Sequence, residues 1–334
     1  MDRFGTYRSL EPPGVLPQQA DRLDTAWPPA PDEIGIDVEW LNVDAASWVQ
    51  IRRACNDDAE AMAELIMRTV AERGKLHNPV TDSGGMLVGT VAELGSHRRE
   101  PRIGTRVATL VSLTLTPLVL EEIVELDQAS EKIRVRGKAI LFGGGIYSAV
   151  PDDLPLEVVL GALDVAGAPA WAARLVTDGM KVLILGAGGK SGMLAAAQAV
   201  RSVGSHGRVL GLCWPEETVA AAKDAGAEAR AVDCTDSIAV ADATTEAFEG
   251  ELADLVFVCA SVDGCEGGAI AACAENGEVV FFSMATSFQS AALIAEGLGK
   301  ACRLTIGNGY VPGHAELALD LVRAEPRLRE RLAR

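Results

Sequence analysis

The chain has 334 residues, a length that predicts two domains, and 49% of them are apolar, which supports a sizeable core and excludes disordered and collagen-like classes. Lys and Arg number 30 against 47 Asp and Glu, a net charge of −17, so the surface repels phosphate backbones and anionic lipid; neither a nucleic acid nor a membrane is expected as a partner.

The N-terminal stretch carries no apolar signal core, and no uninterrupted run of about 18 apolar residues predicts a membrane-spanning helix. The seven cysteines (Cys55, Cys213, Cys234, Cys259, Cys265, Cys273 and Cys302) form no C-x-x-C pair. An odd, scattered set reads as reduced thiols, most of them small buried hydrophobes, in a cytoplasmic protein.

Along the chain, Ile36–Leu41 alternates apolar and polar like a half-buried strand. Ala54–Arg73 reads as a helix with Met62, Leu65, Ile66, Thr69 and Val70 on one face, stopped by Gly74. Met86–Leu94, Arg106–Val111, Ile133–Val135 and Lys138–Phe142 read as strands, which makes the first part a barrel-like, mostly β domain. The pattern changes near Pro151–Pro155. Leu156–Leu175 is an Ala-rich helical stretch, after which strands at Lys181–Leu185, Arg208–Leu212, Leu255–Cys259 and Glu278–Phe282 alternate with helices at Ser191–Val203 and Glu216–Ala225. That alternation predicts a parallel sheet covered by helices. His314–Arg334 closes the chain as a helix broken at Pro326. The predicted domains are therefore 1–155 and 156–334.

The strongest motif runs from the apolar strand Val182–Leu185 through Gly186-Ala187-Gly188-Gly189-Lys190-Ser191-Gly192 into an Ala-rich helix. Gly186 suits a tight turn, and Gly188 and Gly189 let backbone approach a pyrophosphate placed at the positive end of the helix. Ser191 stands where the common fingerprint has its third glycine. An ATPase phosphate loop fails on spacing, because Ile184 occupies the position of its first glycine. The next strand ends in Cys213-Trp214-Pro215-Glu216-Glu217, with no acid at its tip to bind ribose hydroxyls, so NAD and NADP both stay open. A second region, Gly74-Lys75-Leu76-His77-Asn78-Pro79-Val80-Thr81-Asp82-Ser83-Gly84-Gly85-Met86, packs many polar groups into one glycine-bounded loop, which is either a site or a solvated turn.

With Gly89-Thr90-Val91 to Gly95 and Ile103-Gly104-Thr105-Arg106-Val107 added to these motifs, the chain resembles the medium-chain dehydrogenases/reductases. Within that superfamily, several strings are similar to the zinc-free L-erythro-3,5-diaminohexanoate dehydrogenase family. They are the loop His77–Met86, Leu163–Ala170, the glycine loop, Phe282–Phe288 and Ile306–Tyr310. The resemblance implies an N-terminal GroES-like β-rich catalytic domain and a doubly wound parallel-sheet (Rossmann) dinucleotide-binding domain, an α/β protein overall. It also implies an amine dehydrogenase: NAD(P)-dependent oxidative deamination of a diamino acid to 5-amino-3-oxohexanoate and ammonia, in lysine fermentation. The alternatives are a zinc-free quinone or enoyl reductase of the same superfamily and a non-catalytic NAD(P)H-binding protein.

Zinc-dependent members of the superfamily use a Cys and a Gly-His-Glu motif; Asp44 and Gly85-Met86 stand at or near those positions here, and a four-cysteine lobe is lacking, so no metal is expected. An amine needs only its lone pair to expel a hydride, so a carboxylate or base beside the nitrogen suffices. The candidates are Asp44, to hold a substrate ammonium or merely to cap a helix; Lys75, to pair the substrate carboxylate or act as base, or merely an exposed lysine; His77, to relay a proton, or a hydrogen-bonded loop histidine; and Asp164, to face the nicotinamide or cap the linker helix. Lys190 and Ser191 are candidates for phosphate oxygens, Ser261, Ser283 and Met284 for the nicotinamide end, and Asn308-Gly309-Tyr310 for closing the cleft. The expected partners are the diamino acid and further copies of the chain, joined through sheet edges as a dimer or tetramer.

Overall fold

The structure, a computed structural model, describes residues 2–78, 84–128 and 132–333. The chain divides into two compact units, 1–153 and 154–334.

In the first unit, β1 (Ser9–Glu11) and β2 (Arg22–Leu23) form a short antiparallel ribbon. β3 (Ile34–Asn42), β4 (Met86–Leu94), β5 (Arg106–Thr109), β6 (Leu118–Asp127), β7 (Lys132–Leu141) and β8 (Tyr147–Ala149) make one antiparallel sheet in the order β6-β7-β3-β4-β5-β8. Between β3 and β4 the chain forms α1 (Ala45–Ala54) and α2 (Ala59–Arg73). Trp48 of α1 and Met62, Ile66 and Val70 of α2 share one buried cluster with Ile36, Val38 and Leu41 of β3.

Two expectations change here. The predicted helix over 54–73 starts later, as α2 at Ala59, because Asn56 and Asp57 adopt φ of 50° and 60° and break the ladder after α1. Asp58 then caps α2 by accepting from the Ala61 N–H at 2.9 Å, and Gly74 ends it in the left-handed conformation the sequence predicts, φ 65°. The two strands predicted over 133–142 are one, with Gly137 inside β7 opposite Leu120. The sequence reading also passed over α1 and β6.

A buried ion pair ties the N-terminal segment to the sheet. Arg8 donates from Nε and Nη2 to the two carboxylate oxygens of Glu33 at 2.6 and 2.7 Å, just before β3 begins. Glu33 also accepts from the Tyr7 hydroxyl and the Ala30 N–H, both at 2.6 Å, so its carboxylate is fully used.

In the second unit, α3 (Leu156–Asp164) and α4 (Gly167–Leu175) precede the alternating part. That part runs β9 (Lys181–Leu185), α5 (Lys190–Ser202), β10 (Arg208–Cys213), α6 (Val219–Asp224), β11 (Glu228–Ala231), α7 (Ser237–Ala247) and β12 (Ala253–Val258). It continues α8 (Glu266–Ala272), β13 (Cys273–Phe281), α9 (Phe288–Leu298), β14 (Arg303–Ile306), α10 (His314–Ala324) and α11 (Pro326–Leu332). All six strands are parallel, in the order β11-β10-β9-β12-β13-β14. This is the doubly wound arrangement, and strand order reverses between β9 and β12. The single helix predicted over 156–175 is a pair bent by 55°. Gly167 starts the second member where backbone of Asn308 and Gly309 passes so close that a Cβ would lie 2.7–2.8 Å from their carbonyl oxygens. Among the described residues, no single helix is long and apolar enough to cross a membrane.

Glu33→Gln should leave the Arg8 guanidinium buried beside a neutral amide and lower stability by about 3–5 kcal/mol, read as a fall in the urea midpoint; an unchanged midpoint would show that the pair does not anchor the N-terminal segment.

Candidate functional site

In the second unit, the loops after β9, β12 and β13 all leave the carboxyl edge of a parallel sheet, and the first two flank the point where strand order reverses. Gly186 follows β9 with φ +79°, and a Cβ on it would lie 2.5 Å from the Ala260 nitrogen after β12, so the two loops touch. Gly188 is equally confined, 2.5 Å from the Thr218 carbonyl oxygen. Gly189 is different: a Cβ there would meet only the Gly186 oxygen, at 3.6 Å. Gly189 is also the N-cap of α5 and offers no side chain to the first-turn N–H groups, which leaves those donors and the positive helix end for an anion.

The third glycine of the fingerprint is Gly192. A Cβ on it would run into the Gly186 carbonyl oxygen and lie 2.8 Å from the Ala187 Cα, so Gly192 fills the close helix-to-strand packing role that the sequence reading sought at Ser191. Ser191 is half-buried and lies by the Cys259 thiol after β12. Lys190 is exposed at the first position of α5.

Ser261 and Met284 are exposed at the same sheet edge. Ser283 is buried, and its hydroxyl accepts from the Ala285 N–H at 3.2 Å, within its own turn. The sequence reading missed Glu266, a buried carboxylate opening α8 that accepts from the Ser287 N–H at 2.6 Å and so fixes the loop after β13. Its neighbours Gly264 and Cys265 gave no polar pattern to mark it. Asp164 is the last residue of α3 and exposed; it caps no helix start. Trp171 Nε1 donates to the Asn308 carbonyl at 2.9 Å, and Tyr310 stacks edge-on against His314 at 5.3 Å. Burial pulls the His314 imidazole below its ordinary value.

In the first unit, Asp44 is the N-cap of α1, with Oδ1 accepting from the Ser47 N–H at 2.9 Å. Its other oxygen, Oδ2, is buried with no hydrogen-bond partner. One turn on, Trp48 is 1% exposed and its Nε1 likewise has no partner. An acceptor and a donor thus stand desolvated on the first turn of one helix, an arrangement that native interiors rarely keep without a ligand or water.

Lys75 is a correction to the surface alternative: it is 0% exposed, and Nζ donates to the carbonyls of Pro17 and Gln18 at 2.9 and 3.2 Å. His77 is half-buried, with Nδ1 3.2 Å from Arg73 Nη1. A guanidinium has only donors, so Nδ1 accepts and the neutral ring carries its proton on Nε2. His77 lines a groove of 360 Å³ between α1 and α2 together with Ser47 and Asn78, close along the chain to Asp44. Pro79–Ser83 of the predicted polar loop lie outside the described residues. Among the described residues, no three His, Cys, Asp or Glu side chains converge as metal ligands.

Residues 7–151 match the family model described as the L-erythro-3,5-diaminohexanoate dehydrogenase N-terminal domain. Two relatives named L-erythro-3,5-diaminohexanoate dehydrogenase are each 43% identical over 333 residues. The one from Acetoanaerobium sticklandii aligns over 96% of this chain and 95% of its own, and the one from Fusobacterium nucleatum over 98% and 96%. The chain belongs to the L-erythro-3,5-diaminohexanoate dehydrogenase family. Its fold is shared with a quinone oxidoreductase of Pseudomonas syringae pv. Tomato DC3000 (TM-score 0.58, 19% identity, 92% of this chain and 82% of that one). It is also shared with the Escherichia coli quinone oxidoreductase solved with NADPH (TM-score 0.56, 13% identity, 92% and 83%). These likenesses show a shared fold.

Gly192→Ala should push α5 off β9 and weaken NAD(P)H binding at least about tenfold, roughly 1.4 kcal/mol, in a fluorescence titration; unchanged affinity would show that this contact does not shape the dinucleotide loop.

Proposed function

We propose that the protein oxidises the 3-amino carbon of L-erythro-3,5-diaminohexanoate with a nicotinamide dinucleotide as hydride acceptor. The products are 5-amino-3-oxohexanoate and ammonia. The observation that carries this reading is the 43% identity to enzymes of that name, which runs through both units. The unpartnered Asp44 oxygen supports it from the geometry, because it is an anionic acceptor in search of a donor such as an ammonium.

Gly186, Gly188 and Gly192 shape the turn, and the uncapped start of α5 at Gly189 would hold the pyrophosphate, with Lys190 exposed beside it. The bound dinucleotide supplies the acceptor for the hydride that leaves C3. Asp44 holds the substrate ammonium by charge and takes one proton from it, which gives the nitrogen a lone pair. That pair forms the C=N bond as C3–H departs with its electrons. Water then adds to C3 and the nitrogen leaves as ammonium, so one water is consumed and one proton released overall. His77, with its proton on Nε2, serves as a donor. The Lys75 ammonium steadies the Pro17–Gln18 turn through its two carbonyls.

We read the reaction as metal-free, since an amine, unlike an alcohol, needs no Lewis acid to stabilise a departing alkoxide. The tip of β10 is Cys213, whose thiol is pushed up to about 11 by burial and faces the Gly188 backbone and Thr218. No carboxylate there selects for ribose hydroxyls, so both dinucleotides belong in the assay.

The chelator-treated protein should reduce NAD or NADP in the presence of 3,5-diaminohexanoate, with one ammonia released per reduced dinucleotide; binding without reduction would sink the proposal. Asp44→Asn separates the two jobs of that residue. Asn caps a helix as well as Asp does, so stability should move by less than about 0.5 kcal/mol. Removal of the charge and the base should lower kcat/KM about a hundredfold or more in the same assay. An unaffected rate would leave Asp44 as a cap alone.

A further inference from the structure

We propose that the groove between α1 and α2 receives the carboxylate end of the substrate and that Arg73 is the residue that binds it. This rests on the reaction proposed above and adds the part of the substrate that reaction leaves unassigned.

The groove is chemically two-sided. Its floor is apolar, from Val43, Ile51, Leu65, Ile66 and Leu76. Its polar lining includes Ser47, Arg73, His77 and Asn78. Such a floor suits a short methylene chain, and a cation on its wall suits an acid at the end of that chain.

Arg73 is the cation that stands out. It is the last residue of α2 and half-buried, and it donates to a neutral acceptor, Nδ1 of His77. Among the described residues, no carboxylate pairs with it. A partly desolvated guanidinium is ordinarily matched by an acid, as Arg8 is by Glu33 in this same unit. Among the described residues that matching acid is missing, while the guanidinium lines a cavity. Its planar fork can give a carboxylate two parallel hydrogen bonds. His77 holds the fork from one side and so limits the directions it can point. The other charged groups of α2 on the groove, Arg68 and Glu72, are exposed and four residues apart, which makes them solvent-facing neighbours rather than a desolvated pair.

The assignment also gives the substrate a direction. Asp44 caps the first turn of α1, and Ser47, three residues on, lines the groove. An amino acid would lie with an ammonium toward Asp44 and its carboxylate toward Arg73. A diamine lacks the second contact, and a dicarboxylate meets repulsion at the first. Arg73 is then a specificity-determining residue.

The test is calorimetric titration of the full chain with reduced nicotinamide dinucleotide present, so that no turnover intervenes. Two probes are used: 3,5-diaminohexanoate, and pentane-2,4-diamine, which has the same two amines and no carboxylate. Arg73→Met should weaken binding of the acid by about 10- to 100-fold and leave binding of the diamine unchanged. Arg73→Lys, which keeps a charge but not the fork, should lose part of that affinity, again for the acid alone. If Arg73→Met does not fold, Arg73→Lys carries the test. Equal weakening of both probes, or acid binding unchanged in either variant, overturns the assignment. A turnover assay separates the two proposals. Arg73-dependent binding of the acid without dinucleotide reduction overturns the reaction and keeps the carboxylate site. Normal oxidation by Arg73→Met with an unchanged KM overturns the site and keeps the reaction. A wild-type chain that binds neither probe overturns both.

Discussion

The first turn of α5 lies against the end of β9 so closely that Gly192 has no room for a side chain beside the Gly186 carbonyl. The carboxyl edge of the parallel sheet is organised around that contact. It fixes the direction of α5 and therefore where its positive end points. Gly186 in turn touches Ala260, so the loop after β12 takes its position from the loop after β9. The cysteines complete the seat. Cys213 faces the Gly188 backbone, Cys234 the Gly186 backbone and Cys259 the Ser191 hydroxyl. Burial pushes their thiols up to about 11, 11 and 12, so they are neutral near pH 7 and behave as small packed groups rather than nucleophiles.

The first unit works by a different economy of polar groups. Glu33 is fully bonded: each of its oxygens accepts from Arg8, and Tyr7 and Ala30 add two more donors. Asp44 uses one oxygen to start α1 and keeps the other buried without a donor, and Trp48 holds an unused N–H one turn away. Each buried group without a partner costs about 1–3 kcal/mol. A fold that satisfies Glu33 so completely has the means to satisfy Asp44 as well. That contrast locates where an outside molecule is needed.

Much of the second unit was legible because its central strands are continuous apolar runs closed by glycine or a polar turn. Val182–Leu185 and Val256–Val258 can only be buried strands in that setting. Elements with mixed patterns were not legible. β6 carries Glu121, Glu122 and Glu125 on an edge strand, and β11 is the four residues Glu-Ala-Arg-Ala. α1 carries its large apolar residues, Trp48, Val49 and Ile51, beside two arginines, and its start is visible only once Asp44 is known to bond the Ser47 N–H. The glycine motif was legible as a dinucleotide loop, yet the spacing hid which glycine packs the helix, since that depends on where α5 begins and not on a count of residues.

The polar residues of the loop after α2 show why side-chain roles resist sequence reading more than folds do. Lys75 and His77 are two residues apart and chemically suited to the same tasks, yet they serve different ends. The Lys75 ammonium donates to the carbonyls of Pro17 and Gln18, 58 and 57 residues earlier, which no local pattern reports. His77 meets Arg73, four residues back and just across the left-handed turn at Gly74. A cation facing Nδ1 converts a histidine that could have been a base into a donor. Under the proposed reaction the base is then an anion, and among the described residues of this unit the carboxylate oxygen that is buried without a donor belongs to Asp44. In the proposed reaction, the hydrogen bond between Arg73 and His77 thus divides the labour, with the proton going to Asp44 and the Arg73 guanidinium left for the other end of the substrate.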